Sequence, residues 1–374
     1  MKYCILIVTC LIIHLNSCSL SHVSSSSSAS SKITAVYDGI YLCGFTINNS
    51  INCAAIYNFS NSILLSSNRS SCNAIIYNGT NLIECGWIQT NGVQEACIWY
   101  NNATTILSNP YFQPSAGYYI ILQGTNIIIV GATFQTQYIG SKLISSETFP
   151  CMWYNGNYCD VCDSNGIHYY EFAPTAACLY NSSIYLIGND TNSNYPFIYN
   201  NSNYIEITNC YASANCASVV DGSLIIGGYI STNNSTNDIA CYWVYQPDDG
   251  GGFSNVILGG ISPSNFYVSG GNDIYYSYIN SVICINNQPE FLVQSFDLYP
   301  NGNYDTIPTS CVNNTMSIYA NNKFVHGCFV SDEKYSGGLI YSIINDGLYY
   351  YCINNNIIQL SDTNFTAFDI AYSN

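Results

Sequence analysis

Residues 34–45 read TAVYDGIYLCGF and residues 217–229 read ASVVDGSLIIGGY: an apolar run, Asp-Gly, a second apolar run, a glycine and an aromatic. Asp38-Gly39 and Asp221-Gly222 are dipeptides that tolerate positive φ in a tight turn, so each phrase reads as a hairpin. On this reading they join the first and second strands of a unit, and Gly44 and Gly228 end the second strand. Asn78-Gly79 and Asn91-Gly92 punctuate the chain in the same way. No window carries a helical period with caps.

The phrase belongs to a longer repeat. Cys43-Gly44-Phe45 matches Cys85-Gly86-Trp87, and Ala54, Ile56 and Tyr57 match Ala96, Ile98 and Trp99. Later copies are GYYIILQGTNIIIVGA with PCMWYNG, AACLYNSSIYLIGN with YPFIYNN, and ASVVDGSLIIGGY with ACYW. Copies six and seven are read as NFYVSGGNDIYYSY with VICINN and MSIYANNKFVHGC with GLIYS. A short apolar stretch, such as Ile63-Leu64-Leu65 or Thr105-Ile106-Leu107, closes a copy.

Seven copies of about 49 residues fit four short strands each. Strands apolar at successive positions belong to sheets covered on both faces. The expected fold is all-β: a single β-propeller of seven four-stranded blades over residues 33–374. TAFDIAYSN at the C-terminus resembles TAVYDGIY near the start, so the terminal strands should share and close one blade. A β-solenoid or stacked sandwiches are the alternatives.

Gly271-Asn272-Asp273-Ile274-Tyr275, Ala240-Cys241-Tyr242-Trp243 and Trp153-Tyr154-Asn155-Gly156 carry a further likeness. They resemble the repeats of a poorly characterised group of bacterial exported β-propeller lipoproteins, of the type G-N-D-V-Y-V-x-G followed by A-x-Y-W-x-N-G. The resemblance implies a fold and no activity, and the abundance of cysteine departs from it.

Charged residues make up 7% of the 374, with six Lys and Arg and a formal charge of −16. A nucleic-acid site needs clustered cations to replace phosphate counterions, and this chain has no such cluster. The same poverty argues against direct attraction to anionic lipid headgroups.

The N-terminus has a short basic start and an apolar run from Tyr3 to Leu15, as a signal peptide over residues 1–17 does. Leu15-Asn16-Ser17-Cys18 resembles a lipobox, with Cys18 lipidated and residues 18–32 a Ser-rich tether. An ordinary secretory signal is the alternative. Sixteen cysteines, Cys43 to Cys352, then remain, an even number that suits disulfides in an exported chain.

Cys159 and Cys162 form C-x-x-C in the densest cysteine segment, and Cys210 and Cys216 flank the join between two units. With Cys43, Cys53, Cys85 and Cys97 these are the disulfide candidates. A two-residue turn at Asn91-Gly92 would set Gly86 opposite Cys97 and Cys85 opposite Ile98. Cys85 and Cys97 would then face opposite sides. Zinc bound by Cys151, Cys159, Cys162 and His168 is the alternative reading of the C-x-x-C segment.

Asp160, Asp163 and Asn165, and Asp248-Asp249, are read as solvated turns, since the full calcium-loop pattern is missing. His168 and His326 are the two histidines beyond the tether, and no nucleophile elbow or phosphate loop occurs. Trp87, Trp99, Trp153 and Trp243 recur at strand positions and read first as packing between blades. Asn-x-Ser/Thr triplets begin at Asn48, Asn58, Asn68, Asn78, Asn102, Asn181 and Asn313.

The chain thus reads as an exported, lipid-anchored, non-catalytic monomer without cofactor or metal, presenting loops to a protein or glycan partner. Its membrane contact is through the lipid alone. The alternatives are a glycan-active enzyme with carboxylates in a central channel, or a structural surface protein.

Overall fold

The computed structural model describes residues 39–373, with short interruptions and longer ones at 163–171, 232–237, 247–251, 258–273, 299–303, 319–328 and 360–363. At most the backbone is described over 136–146, 251–276 and 294–363. Residues 37–374 form one compact unit.

Blade 1 contains β1 (Gly39–Asn48), β2 (Ile51–Asn58) and β3 (Asn61–Leu64). Blade 2 is β4 (Ser70–Tyr77), β5 (Leu82–Thr90), β6 (Val93–Tyr100) and β7 (Ala103–Ile106). Blade 3 is β8 (Ser115–Gln123), β9 (Asn126–Ile139), β10 (Lys142–Tyr154) and β11 (Asn157–Asp160). Blade 4 is β12 (Pro174–Tyr180), β13 (Ser183–Asn189), β14 (Pro196–Asn200) and β15 (Asn203–Glu206). Blade 5 is β16 (Ala212–Val220), β17 (Ser223–Ser231), β18 (Asp238–Gln246) and β19 (Gly252–Ile257). Blade 6 is β20 (Ile274–Ile285), β21 (Gln288–Leu298), β22 (Tyr304–Val312) and β23 (Thr315–Ile318). Blade 7 is β24 (Phe329–Ser336), β25 (Leu339–Asn345), β26 (Tyr349–Ile353) and β27 (Asn356–Gln359). The last strand, β28 (Phe365–Ser373), returns to blade 1 and pairs with β1, giving the order β28-β1-β2-β3.

The innermost strands touch in the order β28, β4, β8, β12, β16, β20, β24 and back to β28. This is a closed ring of seven four-stranded sheets, a β-propeller whose terminal strands share a blade, as the likeness of TAFDIAYSN to TAVYDGIY suggested.

Three details of the repeat reading are corrected. The inner strand of blade 1 is β28, and both edges of β1 are taken by β2 and β28. Asp38-Gly39 therefore does not join that blade's first and second strands; residues 34–38 lie outside the described residues. Gly44 and Gly228 stand within β1 and β17 rather than at their ends. The last two copies are displaced: Val282–Ile285 finishes β20, Thr315–Ile318 is the outer strand of blade 6, and Leu339–Asn345 is the second strand of blade 7. The long β20–β21 hairpin and the long connections around it blur the spacing that the earlier copies keep.

The displaced glycines have a different physical role. In all seven blades the innermost strand slips register by one residue against the second, so that Asn73, Tyr118, Thr175, Asn215, Asn280, Ser331 and Phe368 are extra. Such a bulge bends the strand and increases its twist. Opposite it the inner backbone comes close: a Cβ on Gly44, Gly86, Gly131 or Gly228 would run into the carbonyl oxygen of Thr366, Ser71, Ala116 or Ser213. Only glycine fits there.

Apolar clusters fill the gaps between blades. Tyr41, Cys43, Ile56, Cys72, Ile75 and Trp99 join blades 1 and 2. Ala74, Cys85, Ile129, Cys151 and Trp153 join blades 2 and 3. Successive residues of one strand serve opposite gaps, which is why the strands are apolar without alternation. Tyr57, Trp99, Trp153, Tyr199 and Trp243 occupy one third-strand position and are nearly or fully buried. Each such side chain contributes about 1.5–3 kcal/mol by leaving water.

Candidate functional site

In an antiparallel blade the connections from strand 1 to 2 and from 3 to 4 lie at one end, and those from 2 to 3 and from one blade to the next lie at the other. The first end is built mainly of two-residue turns, at 124–125, 155–156, 181–182, 201–202 and 221–222 among others. Asn155, Asn181, Asn201 and Asp221 adopt positive φ there, at 44–49°, a conformation that Asn and Asp tolerate better than most residues. The second end carries the interblade connections 65–69, 107–114, 161–173, 207–211, 258–273, 319–328 and 360–364, of five to sixteen residues. Variation in length is confined largely to this end, which makes it the candidate binding face.

Two connections at this end display tyrosines from fixed backbones. In 107–114, Leu107 N–H donates to Ala96 O (2.9 Å), Asn109 Nδ2 to Gln113 O (2.8 Å), and Tyr111 N–H to Asn109 Oδ1 (3.0 Å). Trp153 Nε1 donates to Ser108 O at 2.6 Å. Tyr111 is 54% exposed, meets Tyr158 edge-on at 5.9 Å, and donates its hydroxyl to Asp160 Oδ2 at 2.7 Å. Tyr158 in turn lies edge-on to Trp153 at 5.9 Å. Burial, then the Cys151 thiol and the Asp160 carboxylate, push the Tyr158 phenol upward, and the hydrogen bond to Asp160 raises Tyr111. Both rings stay neutral donors.

The second pair sits between blades 4 and 5. Tyr211 is 62% exposed and meets Tyr195 edge-on at 6.3 Å. Ser231 N–H donates to Tyr211 O (2.9 Å), and Ile207 N–H to Pro196 O (2.9 Å), tying the connection to its blades.

The central channel is lined by the inner-strand bulges. Three of the described bulge side chains are engaged: Asn73 Nδ2 donates to Gly117 O (2.8 Å), Thr175 Oγ1 to Ala214 O (2.8 Å) and Asn215 Nδ2 to Ile279 O (3.2 Å), each reaching the next blade. Asp369 on β28 accepts the Ile75 amide at 2.7 Å. These groups bind blade to blade.

The cysteines are dispersed. Cys85 pairs with Ile98 and Gly86 with Cys97, as the turn at Asn91-Gly92 requires, so Cys85 faces blade 3 and Cys97 faces blade 1. Cys53, Cys85, Cys97, Cys159 and Cys216 stand as thiols in this structure. Cys159 is exposed and Cys151, on the neighbouring strand, is buried. Among the described residues no cluster of three metal-ligating side chains occurs. Cys18, Asp163, Asn165, His168, Asp248, Asp249 and His326 lie outside the described residues. The rim tyrosines were missed in the sequence because their connections have no counterpart in other copies; Asn109, two residues before Tyr111 and able to fix a turn, was the available signal.

No family model and no curated sequence matches the chain. Among solved structures it is similar to a puromycin-hydrolyzing peptidase of Mycobacterium tuberculosis, with a TM-score of 0.52 at 8% identity over 88% of this chain. It spans about half, 53%, of that peptidase. The fold is shared. Similarity also extends to Saccharomyces cerevisiae Sqt1 (TM-score 0.41, 11% identity, 78% of this chain and 85% of that one). A Trypanosoma rangeli sialidase gives a TM-score of 0.41 at 12% identity, over 85% of this chain and 56% of the sialidase.

Proposed function

We propose that the chain is an exported, lipid-anchored propeller of the bacterial lipoprotein kind that binds a protein or glycan partner, without catalysis, at the end bearing its interblade connections. The observation that carries this is the pair of exposed tyrosines Tyr111 and Tyr211, displayed by hydrogen-bonded interblade connections and met edge-on by Tyr158 of β11 and by Tyr195. Tyrosine supplies broad, rigid contact area with a polar tip at small entropic cost. A connection fixed before binding spares the ordering cost. A charge of −16 disfavours anionic partners, leaving neutral or basic glycans and protein surfaces. In the channel, the engagement of Asn73, Thr175, Asn215 and Asp369 in blade contacts supports binding over hydrolysis.

The test is binding of the mature chain to immobilised neutral and acidic polysaccharides and to exported proteins of its host, with Tyr111→Ala and Tyr211→Ala. Each should weaken binding about 10-fold or more, as loss of an aromatic anchor does. Tyr100→Ala and Tyr154→Ala, at the opposite end, should not. Equal loss from Tyr154→Ala, or release of new reducing ends from a bound glycan, would overturn the proposal.

A further inference from the structure

Cys43 and Cys72 meet across the gap between blades 1 and 2. Cys43 is in β1, the strand that receives β28, and Cys72 is in β4, immediately before the bulge residue Asn73. Both are fully buried in the same apolar cluster. Cys43 Sγ lies 3.6 Å from Cys72 O, which brings the two residues side by side within that cluster. Cys85 is directed into the cluster between blades 2 and 3, and Cys97, in the same cluster as Cys43 and Cys72, stands two strands outward from Cys72, across Gly86.

We propose that Cys43 and Cys72 are joined by a disulfide that staples the closing blade to its neighbour. The inference rests on the reading of the chain as exported, since only an oxidising compartment sustains the bond. The step is thiol–disulfide exchange with a disulfide donor of that compartment. One protein thiolate attacks the donor's S–S bond and releases one donor thiol. The second protein thiolate then attacks the mixed disulfide and releases the other, so that two protons pass to the donor thiols. Once packed, burial raises the Cys72 thiol well above its ordinary range, so exchange belongs to the time before blades 1 and 2 close. The separation of 29 positions between the cysteines permits this before β28 has arrived to complete the ring. A loop of that size restricts the unfolded chain, and it does so at the blade whose integrity depends on the distant C-terminus.

The sequence offers a direct assay. Arg69 is the only Lys or Arg between the two cysteines, so a single tryptic cut separates them, into 33–69 and 70–142. The full chain is prepared by export and, separately, by refolding in a mixture of oxidised and reduced glutathione, then alkylated and digested without reductant. We expect the two peptides to travel together, to separate on reduction, and to stay together in Cys53→Ala, Cys85→Ala and Cys97→Ala. In Cys72→Ala they should come apart. Mapping the wild-type chain decides the matter even where a variant fails to fold. Separate peptides from chain shown folded by circular dichroism, or a link that vanishes with Cys85→Ala, would overturn the pairing. A link formed in glutathione and absent from the exported preparation would strike the export reading and sustain the pairing.

Discussion

Glu84 is a carboxyl on β5 that is 2% exposed, paired in register with Ile75 and Trp99. Burial pushes it up to about 8, against about 4.3 in an unfolded chain. Between those values the unfolded chain has released its proton and the folded one has kept it, so stability falls as pH rises. The loss is at most about 1.4 kcal/mol per pH unit in this window and levels off above it. Glu84→Gln should remove that slope: thermal melts at pH 5 and pH 8 should converge in the variant, and an unchanged slope would acquit Glu84. The turn residues show a different economy. Asn181, Asn201 and Asn49 take positive φ at turn tips, and each lies in or beside an Asn-x-Ser/Thr triplet. Turn chemistry alone is enough to generate these triplets.

At the level of the strand, one pairing recurs between blades 1 and 2, 2 and 3, and 5 and 6. The third-strand amides of Ala54, Ala96 and Ala240 donate to the hydroxyls of Ser70 (2.8 Å), Ser115 (3.0 Å) and Ser277 (3.0 Å), each three residues before the next blade's bulge. Where the third strand carries Pro150 or Pro196 at that register, no N–H exists, and the following blade supplies Phe172 or Ala212 instead of serine. A buried amide without an acceptor costs about 1–3 kcal/mol. Ser115→Ala should therefore destabilise the chain by that amount, whereas Pro196→Ala should be harmful alone and relieved by Ala212→Ser. Denaturant unfolding of the two single variants and the double variant checks this, and additive losses would refute it. The pairing was not legible in the sequence, because its partners belong to different copies. The hairpin turns and third-strand aromatics were legible, since each repeats at a fixed position within a copy. The bulges were not: Asn73, Tyr118, Thr175, Asn215 and Phe368 are of four different side-chain types, and only the glycine opposite is common to them.

For the molecule as a whole, closure rests on β28. It pairs with β1 through two segments separated by the bulge at Phe368, packs Phe365 against Tyr57 at 5.6 Å, and gives Asp369 to the Ile75 amide of blade 2. A chain ending at residue 362 should lose its single cooperative transition and aggregate through the exposed inner edge of β1. A synthetic peptide of residues 363–374 should restore the transition; calorimetry with and without the peptide tests both statements, and an unaltered melt of the shortened chain would refute them. Ring closure could be read from the sequence because the C-terminal strand resembles the segment near the start. The registers of blades 6 and 7 could not, because the connections 258–273 and 319–328 break the spacing.

The placement of β1 also has a mechanical meaning. It enters the propeller as the second strand of its sheet, with β28 along one edge and β2 along the other. Tension applied to the chain at Gly39 is directed along the strand, while the hydrogen bonds on both sides run across it. The two ladders are thus loaded in shear and must give way together, whereas a terminal edge strand would peel off bond by bond. A propeller entered in this way resists being pulled from its own N-terminal side.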